Sequence, residues 1–263
     1  MKENEKKYPY FLKKSRAGAE KELTEGARRA GRILKDLLFP LRCPVCDRPV
    51  KPFGRDVCSE CEGTLVRIRE PRCLKCGKQL QDAGAEYCYD CGRSRHIYDR
   101  GAALYTYACI RQTIYRFKYK GRREYAAFLG RALAENLGGL ILSWRPDALV
   151  PVPLHRERER ERGYNQAELL AGELGKRLGI PVLSGYLARV KNTRPQKELE
   201  GAARQNNLKK AFKIVQDDVK LNTIVIIDDI YTTGSTIDAA ALECRKAGVQ
   251  RVFFIALAIG KGL

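Results

Sequence analysis

Residues 225–237 read V-I-I-D-D-I-Y-T-T-G-S-T-I, placing two adjacent carboxylates, Asp228 and Asp229, shortly before Thr232, Thr233, Gly234, Ser235 and Thr236. These residue types suit a phosphorylated sugar. Two carboxylates can accept hydrogen bonds from vicinal ribose hydroxyls, or meet a magnesium ion carried by a pyrophosphate. Small hydroxyl and glycine residues leave backbone N–H groups free, and at a helix N-terminus such groups cradle phosphate. The plainer reading of any single residue here is a strand-to-helix turn with Ser/Thr caps. Only the combination points to a ligand, and no G-x-x-x-x-G-K-[ST] string offers a competing P-loop.

A second chemistry lies in the cysteines. Eight of the ten fall into four C-x-x-C pairs, Cys43/Cys46, Cys58/Cys61, Cys73/Cys76 and Cys88/Cys91, recurring every fifteen residues. In a cytosolic chain such pairs read as zinc ligands rather than disulfides. Even spacing does not say which pairs share a metal. C-P-V-C and C-L-K-C are each followed by a basic residue and a short strand-like stretch (48–50 and 78–80), whereas C-S-E-C and C-Y-D-C each follow an acidic and a β-preferring residue. The repeat is therefore thirty residues with two knuckle types, and one of each per metal gives two zinc ribbons in tandem. Interleaved sharing stays open at this level. Four filled positions leave no place for water or substrate, so both ions are expected to be structural and to supply the folding energy of a segment poor in large apolar residues. Cys109 and Cys244 stand alone and are expected to be buried, inert thiols.

Positioning these groups requires a sheet. The apolar run 224–227 is β-branched throughout, as in a strand covered on both faces, and puts Asp228 and Asp229 at its carboxyl end, where open α/β sheets bind ligands. A helix is expected over 238–246, stopped by Gly248. Upstream, 102–108 and 148–152 read as strands, and 110–119, 125–142 and 165–178 as helices, the last ended by Gly179. Alternating strands and helices mark a parallel α/β sheet.

Between the second strand and the third helix runs P-V-P-L-H-R-E-R-E-R-E-R-G-Y-N-Q, residues 151–166. Alternating charge is usually a solvated face. This segment, however, leaves a strand at the same sheet edge as Asp228, so Arg158 and Arg162 are the preferred partners for a pyrophosphate. Residues 189–212 read as a long loop, then a strand, with Arg189, Lys191, Arg194 and Arg204 as its basic residues. Of the two histidines, His155 sits beside the arginine segment and His96 has no evident role, so no catalytic base is assigned.

A formal charge of +19 over 263 residues favours polyanionic partners. Eight thiolates holding two dications would still leave about +15. Tyr115, Phe117, Tyr119 and Tyr125 alternate with Arg116, Lys118, Lys120, Arg122 and Arg123, the aromatic and basic mixture used by single-strand binders, or equally a helix with one buried face. No apolar stretch has the length of a membrane span and no signal peptide is recognisable, so a soluble cytoplasmic protein without membrane insertion is expected.

Together these strings resemble the ComF family: cysteine ribbons, F-K-Y-K-G at 117–121, P-V-P-L with R-G-Y-N-Q, T-x-x-Q-x-x-L with Arg204 and Asn207, and D-D-I-Y-T-T-G-S-T. The last string also matches the signature of the type I phosphoribosyltransferases, which bind 5-phosphoribosyl 1-pyrophosphate (PRPP). The likeness runs from about Leu34 to the end. It implies a type I phosphoribosyltransferase-like α/β domain over 96–263, preceded by tandem Cys₄ zinc ribbons over 41–95. It also implies PRPP with magnesium as ligand and a role with single-stranded DNA in natural competence, beside a helicase-like competence protein. Asp228 and Asp229 would then hold the ribose hydroxyls, and 232–236 the 5-phosphate. Residues 1–40, a basic leader with a weak helical pattern, are not explained by the resemblance. The alternative function is a metabolic phosphoribosyltransferase with an unidentified acceptor.

Overall fold

A computed structural model describes residues 40–52, 54–190, 211–215 and 219–260. The helical pattern expected in the leader lies outside the described residues, as do Lys191, Arg194, T-x-x-Q-x-x-L, Arg204 and Asn207.

Two short helices, α1 (Ser59–Glu62) and α2 (Tyr89–Arg93), each start directly after the first cysteine of a pair, Cys58 or Cys88. The strands expected at 48–50 and 78–80 are reduced to single bridges, Arg42 to Pro49 and Arg72 to Gln79. Strand β1 (Arg100–Thr106) then leads into α3 (Tyr107–Tyr119), α4 (Tyr125–Ser143) and β2 (Ala148–Pro151). The arginine segment contains a helix, α5 (Arg156–Arg162), before α6 (Gln166–Leu178). An antiparallel pair, β3 (Leu187–Arg189) and β4 (Phe212–Ile214), precedes β5 (Thr223–Tyr231), α7 (Ser235–Lys246) and β6 (Arg251–Ile259).

The main sheet has the order β1-β6-β5-β2, and every neighbouring pair is parallel. Its apolar runs are buried on both faces, with alternate residues feeding two cores. Val225, Ile227, Phe253 and Ile255 face α3, α4 and α6, while Ile224, Ile226, Val252 and Phe254 face α7 and the second ribbon. Leu129 and Leu133 of α4 are fully buried, each contributing about 1.5–3 kcal/mol of transfer free energy. Trp144 closes the end of this helix by stacking on Phe253, centroids 4.4 Å apart.

Two boundaries differ instructively from expectation. β1 ends at Thr106 because Tyr107 already begins α3. β5 continues past Ile227 to Tyr231, because β6 pairs with it as far as Tyr231 to Ile259. Asp228 and Asp229 thus sit within the last turn of pairing rather than beyond it, which fixes their backbone. Among the described residues no helix is long and apolar enough to cross a membrane.

Candidate functional site

A cleft of about 260 Å³ opens at the carboxyl edge of β2 and β5. Its floor holds Asp228, Asp229 and Lys118; one wall carries Arg158, Arg162 and Arg189; the other carries Thr232, Gly234 and Thr236. Thr233 and Ser235 are not part of the lining and bond each other through their hydroxyls at 2.9 Å. Seven of the nine residues singled out in the two site segments thus meet in one cavity, joined by Lys118 and Arg189.

Alternate residues of a strand point to opposite faces, and the adjacent carboxylates have different surroundings. Asp229 is 8% exposed, and its Oδ2 takes the Lys118 ammonium at 2.6 Å. Asp228 is enclosed by protein yet touched by solvent through the cleft, and its Oδ1 accepts the Asp229 N–H at 2.8 Å. Burial, reinforced by the neighbouring Asp229 charge, pushes the Asp228 carboxyl up to about 7. The sequence offered Lys118 only within F-K-Y-K-G and the aromatic and basic stretch, with no link to the carboxylates. Its distance in the chain from Asp229 concealed the pairing.

Lys118 is held from two sides. The carbonyl of Phe117 accepts from the Tyr164 hydroxyl at 2.5 Å and from Gln166 Nε2 at 3.4 Å, tying α3 to the loop after α5. The first ribbon grips the same helix. Thr113 Oγ1 donates to the Pro44 carbonyl at 2.6 Å and Arg116 to that of Val45 at 2.8 Å, and just past the end of the helix the Arg122 guanidinium donates to Asp47 at 2.8 Å.

The arginine wall has its own frame. Gly163 in the left-handed region (φ 74°) ends α5, and Asn165 caps α6 by accepting the Ala167 N–H at 3.0 Å while donating to the Val152 carbonyl at 3.0 Å. Arg162 donates to Gln166 Oε1 at 3.0 Å and lies over the Tyr119 ring, 4.9 Å from its centroid. Arg189, at the end of β3, is held below its ordinary range by burial and then by the nearby Arg158 charge. Crowded, partly desolvated guanidinium groups are relieved by a multivalent anion.

The opposite wall is a helix start. Gly234 adopts φ 83° as the N-terminal cap of α7, and the first helical bond runs from the Asp238 N–H to its carbonyl at 2.8 Å. The amides that follow have no partner within the helix. Three arginines, a lysine paired with one of two adjacent carboxylates, and residues at a helix N-terminus thus line one cavity.

Of the aromatic residues in the 115–125 stretch, Phe117 and Tyr125 are buried and serve the core, whereas Tyr115 and Tyr119 are about half exposed. Their rings lie 5.4 Å apart on one face of α3. Cys244 is fully buried, as expected, but Cys109 is only partly so and donates to the Thr106 carbonyl at 3.1 Å.

The eight paired cysteines form two clusters, Cys43/Cys46/Cys58/Cys61 and Cys73/Cys76/Cys88/Cys91, the tandem arrangement rather than the interleaved one. Cys46 and Cys58 sulfurs are 3.9 Å apart and those of Cys76 and Cys88 3.7 Å. A tetrahedral ion with Zn–S bonds of ~2.3 Å requires sulfurs ~3.8 Å apart, so both clusters fit zinc. Burial pushes the Cys61 thiol up to about 12, with Cys46 and Cys43 adding to the effect. A dication removes that penalty by holding the thiolates.

Residues 34–92 match the family described as the double zinc ribbon domain. Over 223 residues the chain is 32% identical to "Competence protein F" of Haemophilus influenzae, covering 81% of this chain and 95% of that protein. It is 31% identical to "DNA utilization protein YhgH" of Escherichia coli K12, covering 82% and 96%. With "Competence protein ComFC" of Bacillus subtilis it shares 32% identity over 76% of this chain and 69% of the relative. Zinc ribbons, parallel sheet and near full-length similarity agree: the chain belongs to the ComF family.

Proposed function

We propose that the cleft binds PRPP with magnesium and that the protein acts on incoming single-stranded DNA in natural competence. One observation carries the reading. The carboxylate pair, Thr232, Gly234 and Thr236 around the helix start, and the three arginines share a single cavity. In this reading Asp228 and Asp229 accept the ribose hydroxyls, amides at the start of α7 hold the 5-phosphate, and the magnesium pyrophosphate lies toward Arg158, Arg162 and Arg189. Magnesium keeps several waters and takes few protein ligands, in keeping with a cleft whose described lining holds two acidic groups.

The DNA part rests on charge, surface and kinship. A net charge of +19 supplies phosphate contacts, and Tyr115 and Tyr119 offer adjacent stacking faces beside Arg162. Relatives are named for competence and for DNA utilization. A helicase-like competence protein is the partner this role would call for.

Metabolic phosphoribosyl transfer is the alternative. There an acceptor attacks the anomeric carbon as pyrophosphate departs, driven by positioning and charge stabilisation. No histidine lines the cleft: His155 caps α5 with its Nδ1 3.6 Å from Glu157, and His96 pairs with Asp238. The absence of an imidazole base from the described lining favours binding over turnover. Two measurements test the proposal. Magnesium PRPP should raise the melting temperature in a concentration-dependent way, as a ligand of the native state does, and ribose 5-phosphate should do so less. Gel shifts with single-stranded DNA should weaken steeply with salt. No thermal shift would remove the PRPP pocket, and no binding at low salt would remove the DNA role.

A further inference from the structure

His96 follows the last cysteine of the second ribbon by five positions and is 3% exposed at its side chain. Its Nδ1 lies 2.8 Å from Asp238 Oδ2, while the Ile97 N–H donates to Asp238 Oδ1 at 2.7 Å. Both oxygens of a carboxylate in the first turn of α7 are therefore taken by two consecutive residues. A carboxylate only accepts, so Nδ1 carries the proton. The same ring closes on the phosphate-side loop itself: a Cβ added to Gly234 would stand 2.9 Å from His96 Cε1 and 2.7 Å from the Tyr231 hydroxyl. Next along the strap, Tyr98 is fully buried and its hydroxyl bonds that of Tyr231 at 2.7 Å.

The strap is fastened to the metal side as well. The Lys75 ammonium, within C-L-K-C, lies 5.2 Å above the Tyr98 ring, and the Lys75 carbonyl accepts the Gly101 N–H at 2.9 Å. Cys73, Cys76 and Cys88 share one buried cluster with Tyr98, Tyr231 and Ile237. The first ribbon has a separate cluster, built on Cys43, Val50, Val57, Cys58 and Cys61, and grips α3 instead. The first cysteine cluster is thus joined to the helix that carries Lys118 and the second to the Gly234–Asp238 helix start.

We propose that His96 is the positioning residue of the phosphate-binding wall, and that through it an intact second zinc ribbon sets the geometry of the Gly234–Asp238 helix start. The ligand part rests on the PRPP reading; the positioning part does not. Removing the imidazole leaves Asp238 Oδ2 without its partner, with only the Ile97 N–H still held by Oδ1, and opens space behind Gly234, so the helix start frays and the anion site loses its preorganisation. His96→Asn keeps an N–H close to the Nδ1 position and serves as the conservative replacement.

The test is amide hydrogen exchange on full-length, zinc-loaded protein without ligand, followed by calorimetry with magnesium PRPP. In His96→Ala, exchange over residues 233–238 should quicken about tenfold or more, the effect of one lost charged hydrogen bond, and PRPP affinity should fall by a similar factor. His96→Asn should restore both to within about threefold. Cys88→Ser should reproduce the His96→Ala pattern in 233–238, and Cys58→Ser should leave that segment as in wild type. Unchanged exchange over 233–238 in His96→Ala overturns the proposal, as does equal acceleration throughout β5 and β6. Should the cysteine variants fail to fold, the His96 pair decides alone. Wild type that binds no PRPP while the exchange pattern holds would reject the ligand reading and leave the coupling standing.

Discussion

Lys118 and Asp229 meet at 2.6 Å on the floor of the cleft, an ion pair in which both side chains are less than one-fifth exposed. It neutralises one of two adjacent carboxylates and leaves Asp228 to bear the cost of burial. If the cleft takes PRPP as proposed, the ammonium is expected to turn from Asp229 toward a phosphate. Lys118→Met should lower affinity for magnesium PRPP by about tenfold to a hundredfold, the range of a charged hydrogen bond, as measured by calorimetry. An unchanged constant would show that Lys118 serves the fold alone.

Asp228 makes stability depend on pH. Its carboxyl is raised from 3.8 to about 7 in the folded protein, so the stability it contributes is present below about pH 4 and is lost as pH rises through 7. Asp228→Asn, which cannot ionise, should melt higher than wild type at pH 8, with the gap closing toward pH 5. Melting curves at both pH values check this, and an equal gap at both contradicts it.

The same group should gate the ligand. If the ribose hydroxyls and magnesium require ionised Asp228, apparent affinity falls in proportion to the ionised fraction, roughly tenfold between pH 8 and pH 6 for a group at about 7. Proton release on binding at pH 7, read as a buffer-dependent calorimetric heat, accompanies it. Asp228→Asn should lose that buffer dependence.

Metal content is a separate prediction. Mass spectrometry under native conditions should return two zinc ions per chain, and Cys46→Ser or Cys76→Ser should each lose one. One ion in wild type would contradict the two-cluster arrangement.

For single-stranded DNA, Tyr115→Ala/Tyr119→Ala should weaken binding about fivefold or more, from base stacking of ~1–3 kcal/mol per base, with the salt slope nearly unchanged because no phosphate contact is removed. A fall in the slope with no loss of affinity at low salt would place the contact elsewhere.

Much of this was legible in the chain. The β-branched run before Asp228 placed the two carboxylates near a strand end, and the cysteine knuckle types pointed to two ribbons in tandem while leaving interleaved sharing open, which the two clusters decide. Other features depend on partners far away in sequence. β5 extends to Tyr231 only because β6 pairs with it, and Lys118 acquires a role only through Asp229. The R-E-R-E-R-E-R run has a period of two, which hides a helix; only Gly163 at its end, in the left-handed region, carries a signal. His96 showed no motif at all, since its partner Asp238 lies 142 residues away. Local pattern reveals which residues are suited to a ligand, whereas tertiary pairing decides which of them are held in place.

The most direct test of the central claim is calorimetry of magnesium PRPP with wild type and with Asp228→Ala/Asp229→Ala, each zinc-loaded. Saturable binding to wild type, weakened at least a hundredfold in the variant, roughly the loss of two hydrogen bonds to charged groups, is the expected result. Equal affinity of the two proteins, or no binding to wild type, would contradict the assignment of this cleft to PRPP.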